Sequence, residues 1–206
     1  MKSEMKKGLM VVISGPAGSG KGTVVKQLLP DGNFAYSVSA TTRAPRPGEI
    51  NDVNYHFITK PAFESHIENG EMLEYTIYCG EYYGTFLKEA EDAISGGKDL
   101  LLEIEVEGAA NVKKTYPEAV TIMLLPPSFA EQEKRLRGRG TETEEKIGKR
   151  LNQTRRELKQ LKHYDYVVYN MDGGVQQAVE QIRTILAAER LAMHRHPDVA
   201  PCYFEE

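Results

Sequence analysis

The chain has 206 residues, of which 40% are hydrophobic and 27% charged, with a formal net charge of -4; this is enough for one substantial core and not obviously for two. The acidic balance excludes a general basic face of the kind that tracks nucleic acid, and no apolar run reaches membrane-spanning length. Cys79 and Cys202 stand far apart without metal-ligand spacing, and no signal-type segment precedes the first apolar run, so the expected setting is a reducing cytoplasm.

Residues 9–14 form a continuous apolar run closing on Ser14, which predicts a buried parallel strand. Gly15, Pro16, Ala17, Gly18, Ser19, Gly20, Lys21, Gly22 and Thr23 follow directly, and a helix begins near Lys21 and continues over 24–29. A glycine-rich turn between strand and helix lets successive backbone N–H groups converge on an anion beside the positive helix end. Lys21 is expected to bridge terminal phosphates and Thr23 to reach a metal. The usual pattern puts the hydroxyl directly after the lysine, where this chain has Gly22.

After a second strand at 34–38, residues 39–88 break the alternation of strand and helix. Short stretches at 54–58, 72–75 and 81–85, with one helix at 62–68 ended by Gly70, read as a small β-rich insertion. Here Arg43 and Arg46, three residues apart and stiffened by Pro45 and Pro47, can turn two guanidinium forks on one phosphate. The hydroxyls of Tyr55 and Tyr83 can add donors, and Glu74 and Thr85 lie in the same segment.

Further strands are expected at 99–104, 120–125 and 166–169, so the fold class is α/β with a mostly parallel five-stranded sheet flanked by helices. Glu103, Glu105 and Glu107 crowd the end of the third of these strands. Ser128 and Glu131 form a capping box for a helix reaching Arg137. Thr141 and Glu144 offer a second start, followed by Ile147, Leu151, Thr154, Leu158 and Leu161 at helical spacing. Arg135, Arg137, Arg139 and Arg150 make these two helices basic, a pattern that solvation alone commonly explains. Val175, Val179, Ile182 and Leu186 stripe a last helix, and 193–206 reads as a loosely ordered tail in which His194 and His196 are solvated.

Taken together, the motifs at 15–23, 37–49, 54–57, 81–85, 102–108, 135–144 and 165–170 resemble those of guanylate kinases over residues 9–186. The resemblance implies a single P-loop NTPase domain with a core of 8–38, 89–127 and 160–192, a GMP-binding insertion at 39–88 and a helical lid at 128–159. It implies ATP as donor, Mg2+ as cofactor with Thr23 and Glu103 on its side, and transfer of the terminal phosphate to GMP, with dGMP as a variant acceptor. Residues 15–23, with Arg135, Arg139 and Asn170, would bind ATP, Asn170 at the adenine. Arg43, Arg46, Tyr55 and Tyr83 would hold the GMP phosphate, and Ser39, Glu74, Thr85 and Glu105 would surround the guanine. Lys21, Arg43, Arg139 and Arg150 would be catalytic, while Arg137 falls at a variable position.

The chemistry supports that carry-over. Guanine offers donors at N1 and N2 where adenine offers the reverse sense, so carboxylates at Glu74 and Glu105 would be left unpaired by adenine. An acceptor that is itself a phosphate, with a second pKa of about 6, requires no general base. Many members carry Asp where this chain has Glu103 and Glu105 and Gln in place of Glu107, which leaves open which of Glu103 and Glu105 faces metal or base; Met171 stands where an acidic residue is common, so the contacts around adenine beside Asn170 are expected to differ. Two alternatives stand beside this reading. One is a kinase for another nucleoside monophosphate, and the other a catalytically silent guanylate-kinase-like module that binds phosphopeptides. No nucleic acid or membrane partner is expected, and the chain is read as a monomer or homodimer.

Overall fold

The computed structural model describes residues 7–31, 33–78, 80–138, 140 and 143–204. Its main sheet contains β1 (Met10–Ser14), β2 (Phe34–Tyr36), β7 (Asp99–Glu103), β8 (Val120–Leu125) and β9 (Tyr166–Tyr169), in the spatial order β2-β7-β1-β8-β9. Every pairing in it is parallel. All residues of β1 and β8 are buried, as strands covered by helices on both faces require. One face packs against α1 (Lys21–Leu28) and α7 (Val175–Glu189), through Val11, Ile13, Val24, Leu28, Val179 and Ile182. The other carries Met10, Val12, Leu100 and Leu102 against Ala90 of α3 (Leu87–Ser95) and Ala109 and Val112 of α4 (Val106–Thr115).

The insertion is a second sheet of β3 (Ala40–Thr41), β4 (His56–Phe57), β5 (Met72–Tyr78) and β6 (Glu81–Phe86), ordered β4-β3-β6-β5. Helix α2 (Lys60–Glu68) packs on it, with fully buried Phe63 stacked at 5.0 Å on Tyr82. The two remaining long helices are α5 (Phe129–Gly138) and α6 (Glu144–Glu157). Glu131 N donates to Ser128 Oγ at 3.1 Å, as the expected cap requires. The cap of α6 is Thr143, which accepts from Lys146 N; Thr141 lies outside the described residues. This helix stops at Glu157, short of the expected Leu161, because the chain tightens into a 3-10 helix over Leu158–His163.

The segment after residue 192 is more structured than its lack of period suggests. Arg195 Nη2 donates to Glu118 O and to Glu189, both at 2.8 Å, and a short helix, α8, spans Val199–Phe204. Polar anchoring leaves no hydrophobic period to read.

Candidate active site

A cavity of about 740 Å³ opens at the carboxyl ends of the parallel strands, between main sheet and insertion. Such a crevice is where open α/β sheets bind ligands. One side of it is the glycine-rich loop after β1. Lys21 folds back so that Nζ donates to Gly15 O at 2.5 Å. Helix α1 begins on Gly20 without a side-chain cap, an arrangement that suits an anion at the first turn. Gly20 has φ 89°, and a Cβ there would sit 2.3 Å from Asn170 Nδ2, so both backbone and space require glycine.

On the opposite wall stand Arg43, Arg46, Tyr55 and Tyr83 of the insertion, with Ser39 and Glu74. The Arg43 guanidinium lies 5.2 Å from the Tyr55 ring centroid and makes a two-pronged ion pair with Glu49 at 2.7 and 3.0 Å. That pair raises the guanidinium pKa and, with the Arg46 N–H, holds the Glu49 carboxyl down at about 2. Glu74, 5% exposed, accepts from the Thr85 hydroxyl at 2.9 Å. Burial pushes its carboxyl up to about 7 against that hydrogen bond.

Glu103 and Glu105 line the same cavity, at the end of β7 and at the cap of α4. A Cβ on Gly22 would lie 3.7 Å from Glu103 Oε2, which puts that carboxylate over the first turn of α1. Burial raises the Glu103 carboxyl, with Lys21 opposing and Glu105 adding to the shift. These are hard oxygen donors of the kind that hold Mg2+ through one or two carboxylates and the substrate's phosphates; among the described residues no cluster of three or more His, Cys, Asp or Glu offers an all-protein cage.

Of the lid residues expected at the site, Arg150 lines the cavity. Arg135 instead pairs with Glu131 at 3.3 Å and donates to Asn170 O at 3.0 Å. Asn170 is 4% exposed and donates to Ser19 O at 2.8 Å, holding the loop from behind. Arg139 lies outside the described residues.

Three contributors carry no assigned role in the sequence reading, although Glu49 and Gly108 lie within its motifs. Glu49 closes on Arg43, its signal being a carboxylate six residues after an arginine in a proline-bounded loop. Gly108 lets α4 approach the insertion, since a Cβ there would stand 2.6 Å from Glu74 Oε2. Gln132, 1% exposed on α5, donates to Ala17 O at 2.9 Å and to Thr154 Oγ1 at 2.7 Å, joining both basic helices to the glycine-rich loop. Nothing in local sequence announces a contact spanning 115 residues.

An anion cradle after the central strand, faced across one cavity by the arginine pair Arg43 and Arg46, is suited to holding two phosphorylated molecules end to end, and places the chain among the P-loop phosphotransferases. The family model for guanylate kinase matches residues 7–189. The chain is 51% identical to guanylate kinase of Halalkalibacterium halodurans, covering 93% of this chain and 94% of that one. It is 45% identical to guanylate kinase of Desulfitobacterium hafniense, over 95% and 98% of the two chains. The crystal structure of guanylate kinase from Anaplasma phagocytophilum superposes with a TM-score of 0.78 at 31% identity, covering 96% of this chain and 94% of that one. The chain belongs to the guanylate kinase family.

Proposed function

We propose that the chain transfers the terminal phosphate of ATP to GMP, giving ADP and GDP. The observation that carries this reading is the buried Glu74 carboxylate in the same cavity as the glycine-rich loop. A carboxylate kept dry beside the Thr85 hydroxyl suits the paired donors of guanine and is left uncompensated by adenine. Family membership supports the same substrates and weighs against the two alternatives.

In this reading residues 39–88 bind GMP. Arg43, Arg46, Tyr55 and Tyr83 grip its phosphate, and Ser39, Glu74, Thr85 and Glu105 enclose the base. Residues 15–23 wrap the ATP phosphates, and Lys21 leaves Gly15 O to bridge the transferring group. Thr23 and Glu103 would hold Mg2+, which when bound neutralises charge on the donor phosphates. The position of Glu103 over α1 supports assigning Glu103 to the metal side and Glu105 to the base.

Transfer needs the acceptor oxygen in line and the equatorial oxygens neutralised, with no general base. Lys21, Arg43, Arg139 and Arg150 supply that charge. Residues 128–159 act as a lid that excludes water once both nucleotides are bound. Arg135 and Asn170 complete the ATP side, Arg135 by exchanging its present partners for phosphate. No helix among the described residues is long and apolar enough to cross a membrane; we place the enzyme in the cytoplasm as a monomer or homodimer.

The test is ADP formation with GMP, AMP, UMP and CMP offered in parallel. GMP should exceed the others in kcat/KM by at least about a thousandfold. Equal use of AMP would refute the assignment of the base pocket.

A further inference from the structure

We infer that Glu49 is a positioning residue for the acceptor-phosphate clamp, touching no substrate and fixing the two arginines that do. This deepens the proposed function and rests on its assignment of Arg43 and Arg46 to the GMP phosphate.

The argument begins with the loop. Residues 43–49 make a turn closed by Glu49 N donating to Arg46 O at 3.0 Å. Into that turn the Glu49 side chain folds back. Its Oε2 accepts from Arg43 Nη1 and from Arg46 N, both at 2.7 Å, while Oε1 accepts from Arg43 Nη2 at 3.0 Å. Arg43 Nη1 also donates to Ala44 O at 2.8 Å, and the guanidinium rests against Tyr55 and Phe57. One carboxylate therefore ties the side chain of the first arginine and the main chain of the second. The ion pair is sheltered, with side chains 16% and 19% exposed, so solvent screening is weaker than at an open surface. A guanidinium held this way loses its rotamer freedom before the ligand arrives, which is how preorganisation strengthens binding.

Charge and geometry pull in opposite directions here, which makes the inference testable. A carboxylate next to a phosphate site repels a dianion, so by charge alone its removal should tighten GMP binding. By positioning, its removal should loosen GMP binding, because Arg43 then samples other rotamers and the loop loses the tie to Arg46 N. The low pKa of Glu49 keeps it charged throughout the working pH range.

The experiment compares the full-length wild type with E49Q, E49D and R43A. Calorimetry gives Kd for GMP and for guanosine, which has the base and sugar without the phosphate, and steady-state kinetics give KM for ATP. E49Q should weaken GMP about tenfold or more while leaving guanosine affinity and the KM for ATP within about twofold; E49D, which keeps the charge, should recover part of the loss. Tighter or unchanged GMP binding by E49Q would overturn the inference, the former marking Glu49 as a competing anion. Equal losses of GMP and guanosine would also overturn it, since they indicate only a damaged insertion. R43A separates the two levels: if it leaves GMP affinity intact, the clamp assignment fails and the Glu49 inference with it. If R43A weakens GMP and E49Q does not, only the Glu49 inference fails.

Discussion

The Thr85 hydroxyl donates to Glu74 Oε1 at 2.9 Å, with both side chains buried at the junction of β5 and β6. Burial moves the Glu74 carboxyl up to about 7, so its protonation competes with base binding near neutral pH. In the proposed base pocket it is the carboxylate form that accepts from guanine. GMP affinity should therefore be flat above pH 7 and fall by up to about tenfold per unit below it. The GMP phosphate has its own pKa of about 6, so the contribution of Glu74 is read as the difference between wild type and Glu74→Gln by calorimetry from pH 5.5 to 8.5. Identical profiles would remove Glu74 from the base site. The same shift has a stability sign: a carboxyl raised on folding stabilises below its unfolded pKa and loses that contribution as pH rises through about 7. The Tm of Glu74→Gln relative to wild type should accordingly rise between pH 5 and pH 8.

Gly108 sets how closely α4 approaches that carboxylate. A Cβ at this position would lie 2.6 Å from Glu74 Oε2 and 3.3 Å from its Cδ. Gly108→Ala must displace the Glu74 head group, and a displacement of that order near a reacting ligand costs about a hundredfold. The expected result is a raised KM for GMP with the KM for ATP within about twofold. A variant with unaltered GMP kinetics would show that the carboxylate has room to shift.

Substitution of Lys21 tests whether the proposed donor and acceptor sites are distinct. Its Nζ now rests on Gly15 O, within the loop and away from the arginine clamp. Lys21→Ala should abolish phosphate transfer and leave the GMP dissociation constant nearly unchanged, measured by kinase assay beside titration calorimetry. Retained turnover would dismiss the loop as the ATP site, and lost GMP affinity would mean the two sites are misassigned.

The middle of the sheet was legible because buried parallel strands are continuous apolar runs: β8 matches the expected 120–125 without adjustment and β1 is one residue shorter than expected, while β9 matches 166–169 as an apolar edge strand of which only Val168 is buried. Helices α3 and α4 were not read. Only Ala90 is buried in α3, and α4 starts at once after Glu105, where acidic residues mask the apolar face of Val106, Ala109 and Val112. The two-residue strand β3 was hidden inside the arginine motif, since a strand that short has no period to detect. Arg43, Arg46, Tyr55, Glu74 and Tyr83, singled out in the sequence by their chemistry, line one cavity, but the residues that support them were not legible. Gln132 acts through a main-chain contact far along the chain and Gly108 through close approach, neither of which local composition encodes, whereas Glu49, which pairs with Arg43 and caps Arg46 N, leaves only the trace of a carboxylate six residues after the arginine.

The lid offers a sharper test of positioned charge against generic charge. Arg150 lines the cavity from α6, whereas Arg137 on α5 turns outward, paired with Glu133 at 2.9 Å and with Glu144. A phosphoryl group in transfer is stabilised by arginines that reach its oxygens, and losing one such arginine costs about a thousandfold or more in turnover. Arg150→Ala should therefore lower kcat by that order while leaving the GMP dissociation constant within about twofold, because the proposed reading gives the acceptor to the insertion. Arg139→Ala should behave alike if Arg139 is the second lid arginine. Arg137→Ala, which breaks only solvent-exposed ion pairs, should keep turnover near that of the wild type. Measuring kcat and GMP affinity for the three variants decides the matter: comparable losses from Arg137 and Arg150 would mean that the lid contributes overall positive charge, and the case for positioned arginines would fail.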